Sequence, residues 1–298
     1  MTRVHVSVMQ VLLLLGVACG LRGLALAEDT EMIVGGTPAP DGKYPWQVRL
    51  YNSMGDSKGF CGGTLIADQW VLTAGHCAVV NHELPANLVP VDKIIVGYGS
   101  TDRTKTSKIK SEKIIVHPDY IAHGASSATD IALIKLSKSI PHAAAVPLAN
   151  PDLDKQLVPP GTKVIITGWG AVWDPEDKDV TSLISELTSP GEMVEKVNFP
   201  LKLHEVEVQV MDSDTCQAAL HPLKIASTEI CVMRPGTPKN SCYGDSGGPL
   251  VVPADNARGY VQVGVVSWGV SCGREGTPNV FARVASFSDW INNTMNSN

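Results

Sequence analysis

Ser246 stands in the run Gly244-Asp245-Ser246-Gly247-Gly248-Pro249, one hydroxyl and one carboxylate among three glycines and a proline. Glycine opens backbone conformations closed to other residues and lets the chain approach a ligand closely. A bulkier residue at Gly247 or Gly248 would crowd whatever Ser246 attacks. A hydroxyl held this way serves as a nucleophile when a base takes its proton and backbone N–H groups face the reacting carbonyl. Taken alone, the same run also reads as a glycine-rich surface turn that contains a serine.

Two other stretches supply the missing groups. Leu72-Thr73-Ala74-Gly75-His76-Cys77 puts an imidazole among small residues, where the ring has room to turn toward a partner. Asp130 heads the strand-like run Ile131-Ala132-Leu133-Ile134-Lys135-Leu136. A buried carboxylate there can orient an imidazole by accepting its Nδ1–H. Each is weak by itself, because a lone His is more often structural and an Asp before a strand is more often a turn residue.

In the order His76, Asp130, Ser246, the three stretches resemble the chymotrypsin/trypsin-like serine protease family. Ile33-Val34-Gly35-Gly36 is similar to the family's mature N-terminus, and Cys61-Gly62-Gly63-Thr64-Leu65-Ile66 to the strand before its His. Gly168-Trp169-Gly170, Val266-Ser267-Trp268-Gly269 and Phe287-Ser288-Asp289-Trp290-Ile291 match further segments. The resemblance implies an all-β fold of two antiparallel six-stranded β-barrels with a C-terminal α-helix. It places the barrels at about 33–147 and 148–298, with the active site in the cleft between them.

The resemblance also implies roles. Ser246 is the nucleophile, His76 the general base and then acid, Asp130 its orienting group, and the N–H groups of Gly244 and Ser246 the oxyanion hole. It implies disulfides Cys61–Cys77, Cys216–Cys231 and Cys242–Cys272. A cut before Ile33 would free an α-amine to pair with Asp245, because a buried carboxylate needs a cation. That pairing would bring the Gly244 N–H beside that of Ser246. The family usually carries Arg or Lys before this cut, and here Met32 stands there.

Specificity rests on the pocket beside Ser246, with Ser241 among its residues. Asn240 occupies the position, six before Ser246, where the trypsin subgroup has Asp. Asn279, in Pro278-Asn279-Val280-Phe281, stands where the family keeps Gly, while Gly269 leaves the pocket mouth open. An amide cannot neutralise a buried Arg or Lys side chain, so a small or polar neutral residue is expected before the cut. Ser267-Trp268-Gly269 is the edge expected to pair with substrate backbone, a strand-addition mode of peptide recognition.

These groups need elements to hold them. The 298 residues, 44% of them hydrophobic, suffice for one large domain or two small ones. A net charge of −6 gives no case for nucleic acid. Trp46–Tyr51, Thr64–Thr73, Lys93–Val96, Lys113–Val116 and Ile131–Leu136 read as short strands, a spacing that favours a barrel or sandwich. Thr162–Trp169, Glu205–Val210, Ile230–Met233 and Val261–Trp268 continue the pattern, and Ser286–Asn293 reads as a helix. Ser137–Pro160 looks like a connector, and the basic tract Arg103–Lys113 like a solvated hairpin. His117 reads as structural; His82, His123, His142, His204 and His221 read as surface residues.

Met1–Ala27 has the form of a secretory signal, with Arg3, the apolar run Val11–Ala18 and Ala25-Leu26-Ala27. The apolar run is short for a bilayer span, so a secreted protein without stable membrane insertion is expected. Residues 28–32 would then be an activation propeptide and 33–298 the functional domain. Loss of Cys19 leaves six cysteines, an even count that suggests three disulfides, though sequence alone does not choose their pairing. Gly97–Ser107 offers Asp102 but no pair of glutamates for calcium, and no His/Cys cluster has zinc spacing, so no metal or cofactor is expected. Ala171–Asn198 is long and acidic; it either restricts access or holds a partner, or is a plain surface insertion. Asn292-Asn293-Thr294 is a glycosylation sequon of little weight. Expected partners are protein or peptide substrates, protein inhibitors and an unidentified activating protease. The rival reading is a non-catalytic protease-like binding protein on the same scaffold. An esterase fits less well, because the serine lies in a β-rich region and not at a strand–helix elbow.

Overall fold

The computed structural model describes residues 36–80, 88–120, 128–171, 199–237, 241–270 and 275–298. The chain first lays down β1 (Thr37–Pro38), β2 (Gln47–Tyr51), β3 (Cys61–Ala67), β4 (Trp70–Thr73), β5 (Ile95–Tyr98), β6 (Ser107–Val116) and β7 (Ala132–Leu136). β6 shows why: Ile109 and Ser111 are buried while Lys110 and Glu112 are exposed, the period of two that a half-buried strand requires. Strands β2-β3-β4-β7-β6-β5 close a six-stranded antiparallel barrel. Val48, Leu50, Leu72, Val96 and Leu133 are fully buried in its core. Each such side chain contributes roughly 1.5–3 kcal/mol relative to exposure.

β8 (Lys163–Gly168), β9 (His204–Val210), β10 (Glu229–Met233), β11 (Pro249–Pro253), β12 (Tyr260–Gly269) and β13 (Asn279–Arg283) form the second barrel. Its ring runs β8-β9-β10-β13-β12-β11 and closes through the β11–β8 pairing. Val164, Val232, Val263 and Phe281 fill it without residual exposure, with Val208 at 1%. The described protein is thus an all-β fold of two six-stranded barrels.

Several local expectations need correction. The run Thr64–Thr73 is not one strand but the hairpin β3–β4, broken at Asp68-Gln69. Those polar residues end the apolar run and are used in the turn: Gln69 Nε2 donates to the Leu136 carbonyl at 2.7 Å. The connector carries a helix, α1 (Pro151–Leu157), with Pro at its start and the Asn150 side chain accepting the N–H groups of Asp152 and Leu153. A second helix, α2 (Ser213–Ala219), is capped in the same way by Asp212. The terminal helix α3 spans Ser288–Ser297, after a three-ten turn at Val284–Phe287.

His204 is not a surface residue. It lies on the inward face of β9, 1% exposed, with Nδ1 against the Lys202 carbonyl at 2.8 Å. Arg103, at the head of the tract read as solvated, is buried and donates to the carbonyls of Ser57, Phe199 and Pro200. His117 packs edge-on against Phe287 and beside Trp290, joining the first barrel to the end of the chain. His142 and His221 are exposed; His82 and His123 lie outside the described residues.

Two terminal pieces cross the boundary expected near residue 147. β1 pairs with β9 of the second barrel, Thr37 opposite Glu205 and Pro38 opposite His204. α3 returns to the first barrel, where Ile291 joins its core and Lys135 Nζ donates to the Asn298 carbonyl at 2.6 Å. Between the barrels, Thr167 Oγ1 donates to Gln47 Oε1 at 2.6 Å, a buried contact.

Candidate active site

β4 ends at Thr73, and the chain turns into a short three-ten segment, Gly75–Ala78, that carries His76. Cys77, on that segment, is disulfide-bonded to Cys61 at the start of β3. The loop is therefore anchored at both ends. Asp130 stands just before β7, 3% exposed, directly behind the histidine. Its Oδ1 accepts the His76 backbone N–H at 2.8 Å, and its Oδ2 lies 2.8 Å from His76 Nδ1. A Cβ on Gly75 would stand 3.2 Å from Asp130 Oδ1, so a small residue there keeps the carboxylate close.

A third donor reaches the same carboxylate. Ser267 Oγ donates to Asp130 Oδ2 at 2.5 Å. The β12–β13 register shifts between Val266 and Trp268, which leaves Ser267 between ladder pairs and turned toward Asp130. Burial pushes the Asp130 carboxyl up, but His76, Ser267 and the backbone N–H outweigh it and hold the group below the ordinary Asp range. Burial likewise pulls the His76 imidazolium down, and the Asp130 carboxylate more than reverses this, so His76 titrates above ordinary imidazole.

Ser246 precedes β11 of the other barrel and meets β3 of the first through its backbone. Its carbonyl accepts the Gly62 N–H at 2.7 Å. The Gly62 carbonyl in turn accepts Thr73 Oγ1 at 2.9 Å. Gly247, φ +77°, lies so close to Thr73 Oγ1 and the Gly62 carbonyl that a Cβ there would overlap them, and it would crowd Ala74 N. The stretch Gly244–Gly248 is thus folded against the segment that leads into His76. Gly248 N–H returns to the Asp245 carbonyl at 2.8 Å, and Gly247 N–H to Val266 at 2.9 Å, which fixes the turn.

Asp245 is fully buried beneath that turn. Its carboxylate accepts the N–H of Gly170 at 2.8 Å and of Cys242 at 3.0 Å. A Cβ on Gly168 or Gly170 would overlap its oxygens, which accounts for the glycines on either side of Trp169. Desolvation pushes the Asp245 carboxyl up to about 6, against the two N–H bonds and the Arg49 charge.

Asn279, one of the residues expected to meet substrate, heads β13 and is 4% exposed. Its Oδ1 accepts the Ser241 N–H at 3.0 Å, and a Cβ on Gly269 would lie 2.5 Å from its Nδ2. The amide therefore reaches from Ser241 to Gly269. The indole Nε1–H of Trp268 donates to Glu229 Oε1 at 2.8 Å, a partnership the sequence reading missed. The signal available was a carboxylate opening the apolar strand Glu229–Met233. Asn240 and Cys272 lie outside the described residues, as do Met32, Ile33 and residues 172–198; Cys216–Cys231 is formed and Cys242 is disulfide-bonded. Among the described residues, one His/Cys/carboxylate group has metal-like proximity, Cys61, His76 and Cys77, but its two sulfurs are bonded to each other.

A buried carboxylate behind an imidazole, and a serine folded against the same turn, form an arrangement suited to acyl transfer. The trypsin family profile matches residues 33–291. The chain belongs to the trypsin family of serine proteases, hydrolases of the endopeptidase type. It is 30% identical to human Kallikrein-7 over 91% of its own length and 93% of that protein. It is 33% identical to mouse Transmembrane protease serine 11G over 87% of its length, and 34% identical to human Serine protease 56 over 94%. The chain spans about half the length of these last two, 54% and 42% respectively.

Proposed function

We propose that this chain is a secreted serine endopeptidase made as a precursor. Ser246 attacks the peptide carbonyl, His76 takes its proton and later gives it to the leaving amine, and Asp130 orients the imidazole and stabilises its charged form. The N–H groups of Gly244 and Ser246 receive the oxyanion, and water resolves the acyl-enzyme. The observation that carries this reading is the pair of hydrogen bonds between His76 and Asp130, one from the backbone N–H to Oδ1 and one between Nδ1 and Oδ2, each at 2.8 Å.

Cleavage of the Met32–Ile33 bond by a protease that accepts Met would free an α-amine for Asp245. The buried carboxylate supports this reading, since burial raises it to about 6 against two N–H bonds and the Arg49 charge, and an ammonium beside it would hold it ionised. The residue before the scissile bond is neutral, either small or polar. The Asn279 amide takes up pocket depth, and an amide cannot neutralise an Arg or Lys side chain. Met1–Ala27 directs secretion. Among the described residues no helix is long and apolar enough to cross a membrane.

The test is a fluorophosphonate label on protein collected from expressing cells, with N-terminal sequencing of the labelled band. Labelling lost in Ser246→Ala, on a band that starts at Ile33 and comes from the medium, is the expected result. An Ile33-started protein that neither labels nor hydrolyses peptides would favour the non-catalytic binding protein. A labelled band held in the membrane fraction would replace secretion with a tethered form, as the name of the transmembrane relatives invites.

A further inference from the structure

We propose that Arg49 is a positioning residue for the loop that receives the oxyanion, its guanidinium holding the Gly244–Asp245 peptide from the opposite barrel. The inference rests on the reading that the Gly244 N–H is one of the two oxyanion donors.

Arg49 lies in the middle of β2, in a stretch that is buried throughout, and is itself 0% exposed. A buried guanidinium is costly unless its donors are satisfied. Here all three nitrogens are: Nε donates to the Lys58 carbonyl at 3.1 Å, Nη2 to Gly59 at 3.1 Å, and Nη1 to Gly244 at 2.6 Å. The first two bonds stay within the first barrel. The third reaches the second, and it is the shortest.

The room for this side chain is made on purpose by its neighbours. Gly59 has φ +68°, and a Cβ there would stand 2.6 Å from Arg49 Nε. The Phe199 ring lies under the guanidinium, 5.6 Å from Cζ to centroid. The same ring closes the space beside Gly244, where a Cβ would come within 2.7 Å of Phe199 Cε1. Gly244 itself has φ +90°, open to glycine and little else.

These contacts act on a donor they do not touch. Fixing the Gly244 carbonyl fixes ψ at that residue. The Phe199 ring limits movement on the other side of its Cα. What remains free for the Gly244 N–H is small, which is what a preorganised oxyanion donor requires. The guanidinium also adds positive charge near Asp245, the next residue in the chain. Asp56, Tyr51 and Arg103 are the other charged or titratable groups that act on Arg49.

Arg49→Met and Arg49→Lys in the secreted protein test this, read by kcat and KM normalised to titrated sites and by amide hydrogen exchange. Arg49→Met is expected to lower kcat about ten-fold or more with KM within about two-fold, and to speed exchange in 242–247 while β2, β3 and β5 keep their protection. Arg49→Lys is expected to fall between, since an ammonium keeps the charge but not the fork of donors. Wild-type kcat and loop exchange in Arg49→Met would overturn the proposal. So would a loss matched by equal loosening of β2, β3 and β5, which marks a packing role. If Arg49→Met does not fold, Arg49→Lys decides: a kcat loss with exchange confined to 242–247 supports the proposal, and any other pattern ends it. A wild-type protein that fails to label would sink the catalytic reading alone, because the exchange contrast reports on the Arg49–Gly244 bond without activity.

Discussion

The side-chain oxygen of Asn279 accepts the backbone N–H of Ser241 at 3.0 Å. That bond holds the amide between Ser241 and Gly269, across the pocket proposed for the residue before the cut, with its nitrogen where a side chain on Gly269 would begin. Removing the amide deepens the pocket without touching His76, Asp130 or Ser246. Asn279→Gly is expected to raise kcat/KM for Phe or Tyr before the cut by about 10-fold or more, from roughly 1–3 kcal/mol of new apolar contact. It should leave Arg and Lys substrates poor, because no carboxylate is added. A peptide library varied at that residue reads both outcomes, and an unchanged profile would show that Asn279 does not set the depth.

Asp130 raises the proton affinity of His76 against the pull of burial. The base acts only when neutral, so kcat/KM should fall as pH drops through a midpoint above the ordinary 6.5. Asp130→Asn removes the carboxylate and leaves burial, so that midpoint should move to lower pH. The rate should also fall by about 10⁴, the size of the same substitution in chymotrypsin-type enzymes and not a figure derived from this structure. A pH–rate profile of both proteins checks the direction.

Asp245 makes a separate prediction about stability. Its carboxyl sits at about 6 in the folded chain against an ordinary 3.8, so the folded state binds the proton more tightly than the unfolded one. Stability is then greatest below the unfolded value and declines as pH rises to the folded one, by about 3 kcal/mol at about 1.4 kcal/mol per unit. Melting of the uncut Ser246→Ala precursor should fall across this window, and Asp245→Asn should flatten the slope. Identical slopes would mean that Asp245 does not titrate as described. An ammonium beside it after the cut should flatten the slope too.

The Cys61–Cys77 bond closes a loop with a sequence separation of 16 around the His76 segment. Replacing both cysteines by alanine should cost about 3 kcal/mol in the chain-entropy account. The activity lost in the still-folded fraction should exceed that lost on replacing Cys216 and Cys231, which tie α2 to β10 away from His76. Titrated activity alongside denaturant unfolding separates the two effects.

The strands were legible because their residues alternate, as Glu205 to Val210 do, and the His76, Asp130 and Ser246 runs because their composition is unusual. Asn150-Pro151-Asp152 carried a helix start that the proline-rich composition of the connector obscured. His204 was misjudged because its neighbours in sequence are charged, while burial depends on which face of β9 meets the core. Arg49 announced itself only as a charge inside an apolar run. Its partner carbonyl is 195 positions away in the chain, and no local pattern encodes such a distance. The reach of Asn279 to Ser241 is of the same kind.

The exchange of terminal segments, β1 on the second barrel and α3 on the first, means that each closed barrel is covered in part by the other half's end. A nick in the stretch between the barrels would leave two pieces still clasped to each other, each wearing the other's end. Halves expressed on their own would each lack a covering piece, and should regain it only when mixed.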